Sequence, residues 1–246
     1  MPRIFAVSLV LTFLIPLHLV AETGHLTVYF TENRPVTCLK SGKPDCIGLW
    51  AVQQAADRIG ATVEFREVPW KRAQATIKTD AEALFIATPR SADTEEMYNW
   101  VAPLYDDESW LLGFDPVEAV PNASRIGVRA GSPYVQHARR NGWDPIELSN
   151  WRSAAKMLLT GRIDYIYGAR LIMINNLADV VNSGRPIYIA RGEKITMWVA
   201  RGRSFPETTT VAALREALAE VRLTDAFQAR VEQMFVDGPY RIADAR

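Results

Sequence analysis

Two segments of this chain combine cations, aromatic rings and hydroxyls closely enough to hold a small polar molecule. The first is Val68-Pro69-Trp70-Lys71-Arg72-Ala73. The second runs from Ala87 to Leu104 and carries Arg90, Thr94 and Trp100. A buried guanidinium such as Arg72 or Arg90 can clasp a carboxylate or phosphate through two parallel N–H bonds. A tryptophan at a strand-to-helix turn can stack on a flat or aliphatic ligand. Glu32 and Asn33, on the loop after the first predicted strand, add an acid and an amide facing the same expected cleft. An unpaired Glu32 favours a cationic or hydroxyl-rich ligand. Each residue also has a structural reading. Trp70 can plug a core, Arg72 can pair with Glu32, and Arg90 can be an ordinary solvated or structural arginine.

Further along, Gly131-Ser132-Pro133 has the chemistry of an anion site or of plain helix capping. Ser132 suits the N-cap and Pro133 the first helical position. Free amides at that helix start can bind an acidic group. Arg170 follows Ala169 and offers a guanidinium to a ligand or to a structural partner. Tyr134, Tyr165 and Tyr167 are candidates to line the same space. Hydrolase, zincin and P-loop signatures are absent. No catalytic residue, metal ligand or cofactor is assigned. A positioned carboxylate, Glu32 or Asp164, is all that a simple proton-transfer enzyme needs, so that alternative stays open.

The elements that must position these residues follow from periodicity. Strands are predicted over 25–30, 62–68, 83–87, 108–114, 125–129, 164–167, 187–190 and 193–200. Helices are predicted over 50–59, 70–78, 132–141, 171–182, 208–221 and 224–235, with Ser149 capping another through Leu159. Asp115 to Asn122 reads as a crossing between two lobes. Alternating strands and helices imply parallel sheets covered on both faces, which bind ligands at the carboxyl ends of their strands. Two lobes leave a cleft between them, the usual place for a small molecule.

The 246-residue chain has a formal net charge of zero, so no basic footprint argues for nucleic acid. Met1 to Ala21 has the charged start, apolar stretch and small-residue end of a secretory signal. Periplasmic export with cleavage near Ala21 is therefore expected. No other stretch is long and apolar enough to cross a membrane. In an oxidising compartment the two cysteines, Cys38 and Cys46, are expected to pair around a loop of strong turn formers. A two-cysteine zinc site lacks further ligands nearby.

Taken in order, the segments resemble the amino-acid-type family of bacterial periplasmic solute-binding proteins of ABC transporters. The resemblance rests on Thr31-Glu32-Asn33-Arg34-Pro35 after the first strand, Gly48-Leu49-Trp50 and Pro69-Trp70-Lys71-Arg72 at helix starts, and Trp100-Val101-Ala102-Pro103. In the second half it rests on Gly131-Ser132 and Gly161-Arg162-Ile163-Asp164. It covers nearly the whole chain after the signal. It implies a two-lobed α/β fold of the type II periplasmic-binding-protein class, with two mixed sheets flanked by helices and a ligand cleft between lobes. Lobe 1 would comprise 22–113 and 195–246, and lobe 2 114–194. It also implies a monomer that closes on a small solute and works with an inner-membrane ABC permease or a sensor.

The departures from the family pattern matter more. Relatives that bind α-amino acids hold the carboxylate with an Arg six residues before the aromatic of the aromatic-x-x-Pro motif. Here that position is Thr94. They hold the ammonium with an Asp just past the Gly-Arg-hydrophobic-Asp turn. Here that position is Ala169. Losing one partner of a desolvated charge pair costs about 2–5 kcal/mol, so ordinary α-amino acids are expected to bind poorly. The resemblance then places a ligand between Glu32, Asn33, Trp70, Arg72, Arg90 and Thr94 of one lobe and Gly131, Ser132, Ala169 and Arg170 of the other. A sensor accessory or partner-binding protein on the same fold, and a dehydratase-like enzyme, are the alternatives.

Overall fold

A run of apolar residues sets the centre of the first lobe. His25–Phe30 forms β1, buried at every residue but the first, as a strand covered on both faces must be. In the structure, a computed structural model describing residues 24–116, 124–236 and 243–244, β1 lies between β4 (Thr62–Glu67) and β5 (Ala83–Arg90) and runs parallel to both. The predicted signal segment and most of the Asp115–Asn122 crossing lie outside the described residues.

Between β1 and β4, Cys38 and Cys46 form a disulfide around a small hairpin, β2 (Leu39–Lys40) and β3 (Lys43–Pro44). Helix α1 (Ile47–Arg58) starts directly after Cys46 and before the predicted Trp50. Backbone approach explains the earlier start. The Gly48 amide donates to the Val36 carbonyl at 2.8 Å, and a Cβ on Gly48 would lie 2.9 Å from that oxygen. The short α2 (Trp70–Thr76) leads from β4 to β5.

Two long strands join the lobes. β6 (Tyr98–Gly113) and β10 (Tyr188–Gly202) pair antiparallel along most of their length. At about 3.3 Å per residue each reaches about 50 Å. In the first lobe β10 also pairs with β5, over Leu84 to Arg90. In the second, Ser109–Gly113 of β6 pairs with β9 (Tyr165–Ala169). Around Asp107–Glu108 and Lys194–Ile195 the two strands have only each other among the described pairings. The pairing register shifts there, between Arg191 and Lys194, and such bulges bend strands.

The second lobe continues through β7 (Ile126–Arg129), parallel to both β9 and β8 (Pro145–Leu148). Its helices are α3 (Pro133–Arg140), α4 (Trp151–Leu159), α5 (Arg170–Asn176) and α6 (Ala178–Val181). The chain returns along β10 to the first lobe, where α7 (Thr209–Arg222) packs on α1 and α8 (Asp225–Val236) follows. β11 (Ala243–Asp244) adds to β10. The full order is β4-β1-β5-β10-β6-β9-β7-β8, so the two mixed sheets form one hydrogen-bonded path.

Several expectations change. The Trp100-to-Pro103 motif sits inside β6, which begins at Tyr98 and not at 108. Proline is tolerated because β6 is an edge strand in the first lobe, paired only with β10 there. The strands expected over 187–190 and 193–200 are one strand. The helix expected over 171–182 breaks at Leu177, whose φ of −111° and ψ of 30° leave the helical region. The cap of α4 is Asn150, whose side chain accepts from the Ser153 amide at 2.8 Å; it is not Ser149.

Candidate ligand cleft between the lobes

Residues after the carboxyl ends of the parallel strands converge between the lobes. Thr31 and Glu32 follow β1, Val68 to Lys71 follow β4, Arg129 ends β7, and Ser149 to Arg152 follow β8. They line an open groove of about 1110 Å³, completed by Asn175, Asn176 and Asp179. A second cavity of about 30 Å³ shares Trp70, Arg129 and Trp151 with the groove and adds Asn33, Ser132, Tyr134 and Ala169. It has room for about a water, not for an amino acid.

The two tryptophans occupy matching positions. Trp70 is the first residue of α2 after β4, and Trp151 the first of α4 after β8. Both are buried. Trp70 packs edge-on against Phe85, with ring centroids 4.6 Å apart. Its Nε1 reaches across the cleft and donates to the Gly131 carbonyl at 3.2 Å. Gly131 has φ +70°, and a Cβ there would lie 2.9 Å from the Lys71 side chain. Glycine thus serves both the turn and the approach of the lobes. Room for Trp151 comes from Gly168, where a Cβ would lie 2.7 Å from its ring.

Further contacts cross the cleft. Arg129 Nη1 donates to Asn33 Oδ1 at 2.9 Å, and Asn176 Nδ2 donates to the Arg34 carbonyl at 3.2 Å. Lys71 lies 3.9 Å from Glu147, and Arg140 pairs with Asp93. Ala87, which lines the small cavity, has φ +60°, the left-handed region that a non-glycine residue rarely adopts. Such strain clusters at binding and catalytic sites.

The predicted residues divide into two groups. Glu32, Asn33, Trp70, Gly131, Ser132 and Ala169 come together at the cleft. Glu32 is not free: Arg34 donates to it at 3.0 Å, and Arg72 does not. Ser132 is the N-cap of α3, but its hydroxyl donates to the Arg129 carbonyl at 2.7 Å instead of capping a helix amide.

The other four do not line either cavity. Arg72 is exposed on α2. Arg90 is held by Glu95 through bonds of 2.8 and 2.7 Å and stacks over Trp198 and Trp100, at 4.6 and 5.5 Å from the ring centroids. The hydrogen bond to Arg90 keeps the Glu95 carboxyl below its ordinary range. Thr94 is fully buried and closes its own loop, donating to the Pro89 carbonyl and accepting from the Ser91 amide, both at 2.9 Å. Arg170 lies 3.5 Å from Asp107 and 3.6 Å from Glu108, over the Trp110 ring. Burial pushes the Asp107 carboxyl up to about 6, against the lowering effect of the Glu108 and Leu171 amides and of Arg170.

Sequence reasoning missed Arg129 and Trp151. The signal for Trp151 was present, since it repeats the strand-then-tryptophan-helix pattern of Trp70. Arg129 carried a weaker one, as the last residue of a parallel strand. Tyr134 lines the small cavity, whereas Tyr165 and Tyr167 pack against β7 and α3. Trp50, Trp110, Trp143 and Trp198 make core or ring contacts. Among the described residues no group of His, Cys, Asp or Glu could hold a metal ion, and no helix is long and apolar enough to cross a membrane.

No protein-family model and no curated protein sequence matches the chain. Solved structures do. A histidine kinase sensor domain with similarity to periplasmic binding proteins superposes with a TM-score of 0.72 at 14% identity, covering 87% of this chain and 97% of that one. The arginine-, lysine-, histidine-binding protein ArtJ from Geobacillus stearothermophilus gives 0.70 at 15%, covering 87% and 96%. An ancestral amino-acid-binding protein, AncCDT-1, described as a precursor of cyclohexadienyl dehydratase, gives 0.68 at 14%, covering 86% and 95%. At such identities the likeness is one of architecture: this chain has the two-lobed α/β fold of the periplasmic solute-binding proteins.

Proposed function

We propose that this protein is a periplasmic solute receptor, working with an ABC-type importer, that binds a small polar solute between its lobes without chemical turnover. The observation that carries this reading is the groove of about 1110 Å³ between the lobes, lined by strand-end residues of both. Its size lies just above the range of about 300–1,000 Å³ typical of small-molecule sites, as an open groove's does. The likeness to ArtJ and the predicted signal segment support it. We further propose that the solute is not an ordinary α-amino acid. Thr94 and Ala169 stand where charged anchors would be expected, and Arg90 and Arg170 are engaged by Glu95 and Asp107.

A thermal-shift screen against amino acids, polyamines, organic acids and sugar acids tests this. A ligand at 100 times its Kd stabilises by about 2.7 kcal/mol. A shift with one or more non-amino-acid solutes is expected. A strong shift with a common α-amino acid sinks the specificity reading, and consumption of a bound compound sinks the non-enzymatic one. The likeness to a sensor domain favours a second reading, a receptor that reports to a signalling partner. Under that reading a solute still shifts the melting curve, but the protein is retained by a sensor and not by a permease.

A further inference from the structure

Arg129 lines both the groove and the small cavity. Its side chain is half-buried, and burial lowers its pKa. Of the five N–H donors of an arginine, one is used among the described residues, toward Asn33 Oδ1. It has no salt bridge among the described residues, unlike Arg90 and Arg170. Holding a cation out of water without a counter-ion is costly, and a bound anion would offset that cost.

Two independent features point the same way. Trp151 Nε1 and Tyr134 Oη are buried without hydrogen-bond partners among the described residues, and both residues line the small cavity. The indole N–H is a donor only, and the phenol can donate. No Asp or Glu lines that cavity; its remaining walls include Trp70, Pro89, Ile172 and Met197. The surroundings of Arg129 are therefore rich in donors and apolar surface. An α-ammonium sits next to its carboxylate, so a zwitterion anchored on Arg129 would bring its ammonium beside that cation. Of the acids in the adjoining groove, Glu32, Glu67 and Asp179, Glu32 is already paired with Arg34.

We infer that the cleft takes an organic acid lacking an α-ammonium group, with its carboxylate on Arg129 and a flat or aliphatic body alongside Trp70 and Trp151. This rests on the cleft being a receptor site. It moves the anion anchor from the first lobe, where Thr94 stands, to the second.

Titration calorimetry at pH 7.5 with 3-phenylpropionate, phenylpyruvate, phenylalanine and 3-phenylpropan-1-ol tests it. These probes share a ring and differ at the charged end. At least one acid is expected to bind about 10-fold or more tightly than phenylalanine and the alcohol. Hydrogen bonds to a charged group are worth about 10- to 100-fold in affinity, so Arg129→Gln should weaken the acid by that factor and leave the alcohol unchanged. Arg129→Lys should recover part of the loss. Asn33→Asp supplies a carboxylate to Arg129 while leaving the arginine in place, and should weaken the acid as well. Phenylalanine binding as tightly as the acids, or acid binding indifferent to Arg129→Gln, overturns the assignment. So does failure of both acids to bind. A solute from the wider screen bound equally by the parent and Arg129→Gln overturns this inference alone and leaves the receptor reading standing.

Discussion

The loop after β5 and the turn after β7 each set an arginine at the carboxyl end of a parallel strand, and they satisfy it differently. Arg90 finds Glu95 five residues on and two tryptophan faces from β6 and β10. Arg129 finds no acid among the described residues and reaches 96 positions back along the chain for the amide of Asn33. The loop that carries the family resemblance is thus electrostatically complete. The turn that read equally as an anion site or as helix capping follows the cation with donors to spare. A motif marks where a strand ends; whether its charge is available depends on partners that arrive from elsewhere.

Three substitutions can break or sharpen this contrast. Arg170→Met should have the largest effect, because it strips the buried Asp107 of its cation. Breaking a buried pair in this way costs about 3–5 kcal/mol. That cost should depend on pH. Burial already raises the folded-state pKa of Asp107 to about 6, above its ordinary value of 3.8. Removing Arg170 leaves the folded protein still readier to hold that proton than the unfolded chain. Stability that comes from such a raised carboxyl grows as pH falls, so the penalty at pH 7.5 should shrink at pH 5. Denaturant titrations at the two pH values measure it, and an equal loss at both would show that Asp107 is not the group involved.

Arg90→Met comes next. It removes an exposed ion pair, worth little, and cation–π contacts, worth more. Calorimetry should show a Tm lower by about 2–4 °C, since about 1 kcal/mol shifts a domain of this size by that much. Arg129→Met should have the smallest effect on the unliganded protein. The lost bond to Asn33 is offset by relief of a desolvated charge, so Tm should stay within about 2 °C or rise. A large drop for Arg129→Met, equal to that for Arg170→Met, would erase the distinction between an engaged and an available arginine.

Much of the fold was legible because burial leaves a local trace. The continuous apolar run at Ala83 to Ala87 is β5, and Pro69-Trp70 does open α2. The joins between elements were less legible. Pro103 argues against a strand, yet β6 passes through it because its ladder partner lies on one side only. Gly192 suggests a turn, yet β10 continues past it with a shifted register. Within the cleft, Glu32, Asn33, Trp70 and Ser132 could be placed because they follow predicted strands. The standing of Arg129 could not, because it depends on burial and on a partner in the other lobe.

Gly113 and Tyr188 face each other across the β6–β10 ladder. The chain therefore leaves for the rest of the second lobe and comes back within one interstrand spacing, about 5 Å. In genetic terms the stretch between them is a cassette with adjacent ends, held in a frame whose own strands continue on either side. Such a cassette can be exchanged or redrawn while the path of the first lobe stays as it is, so the face bearing Arg129 can change its chemistry independently of the face bearing Asn33.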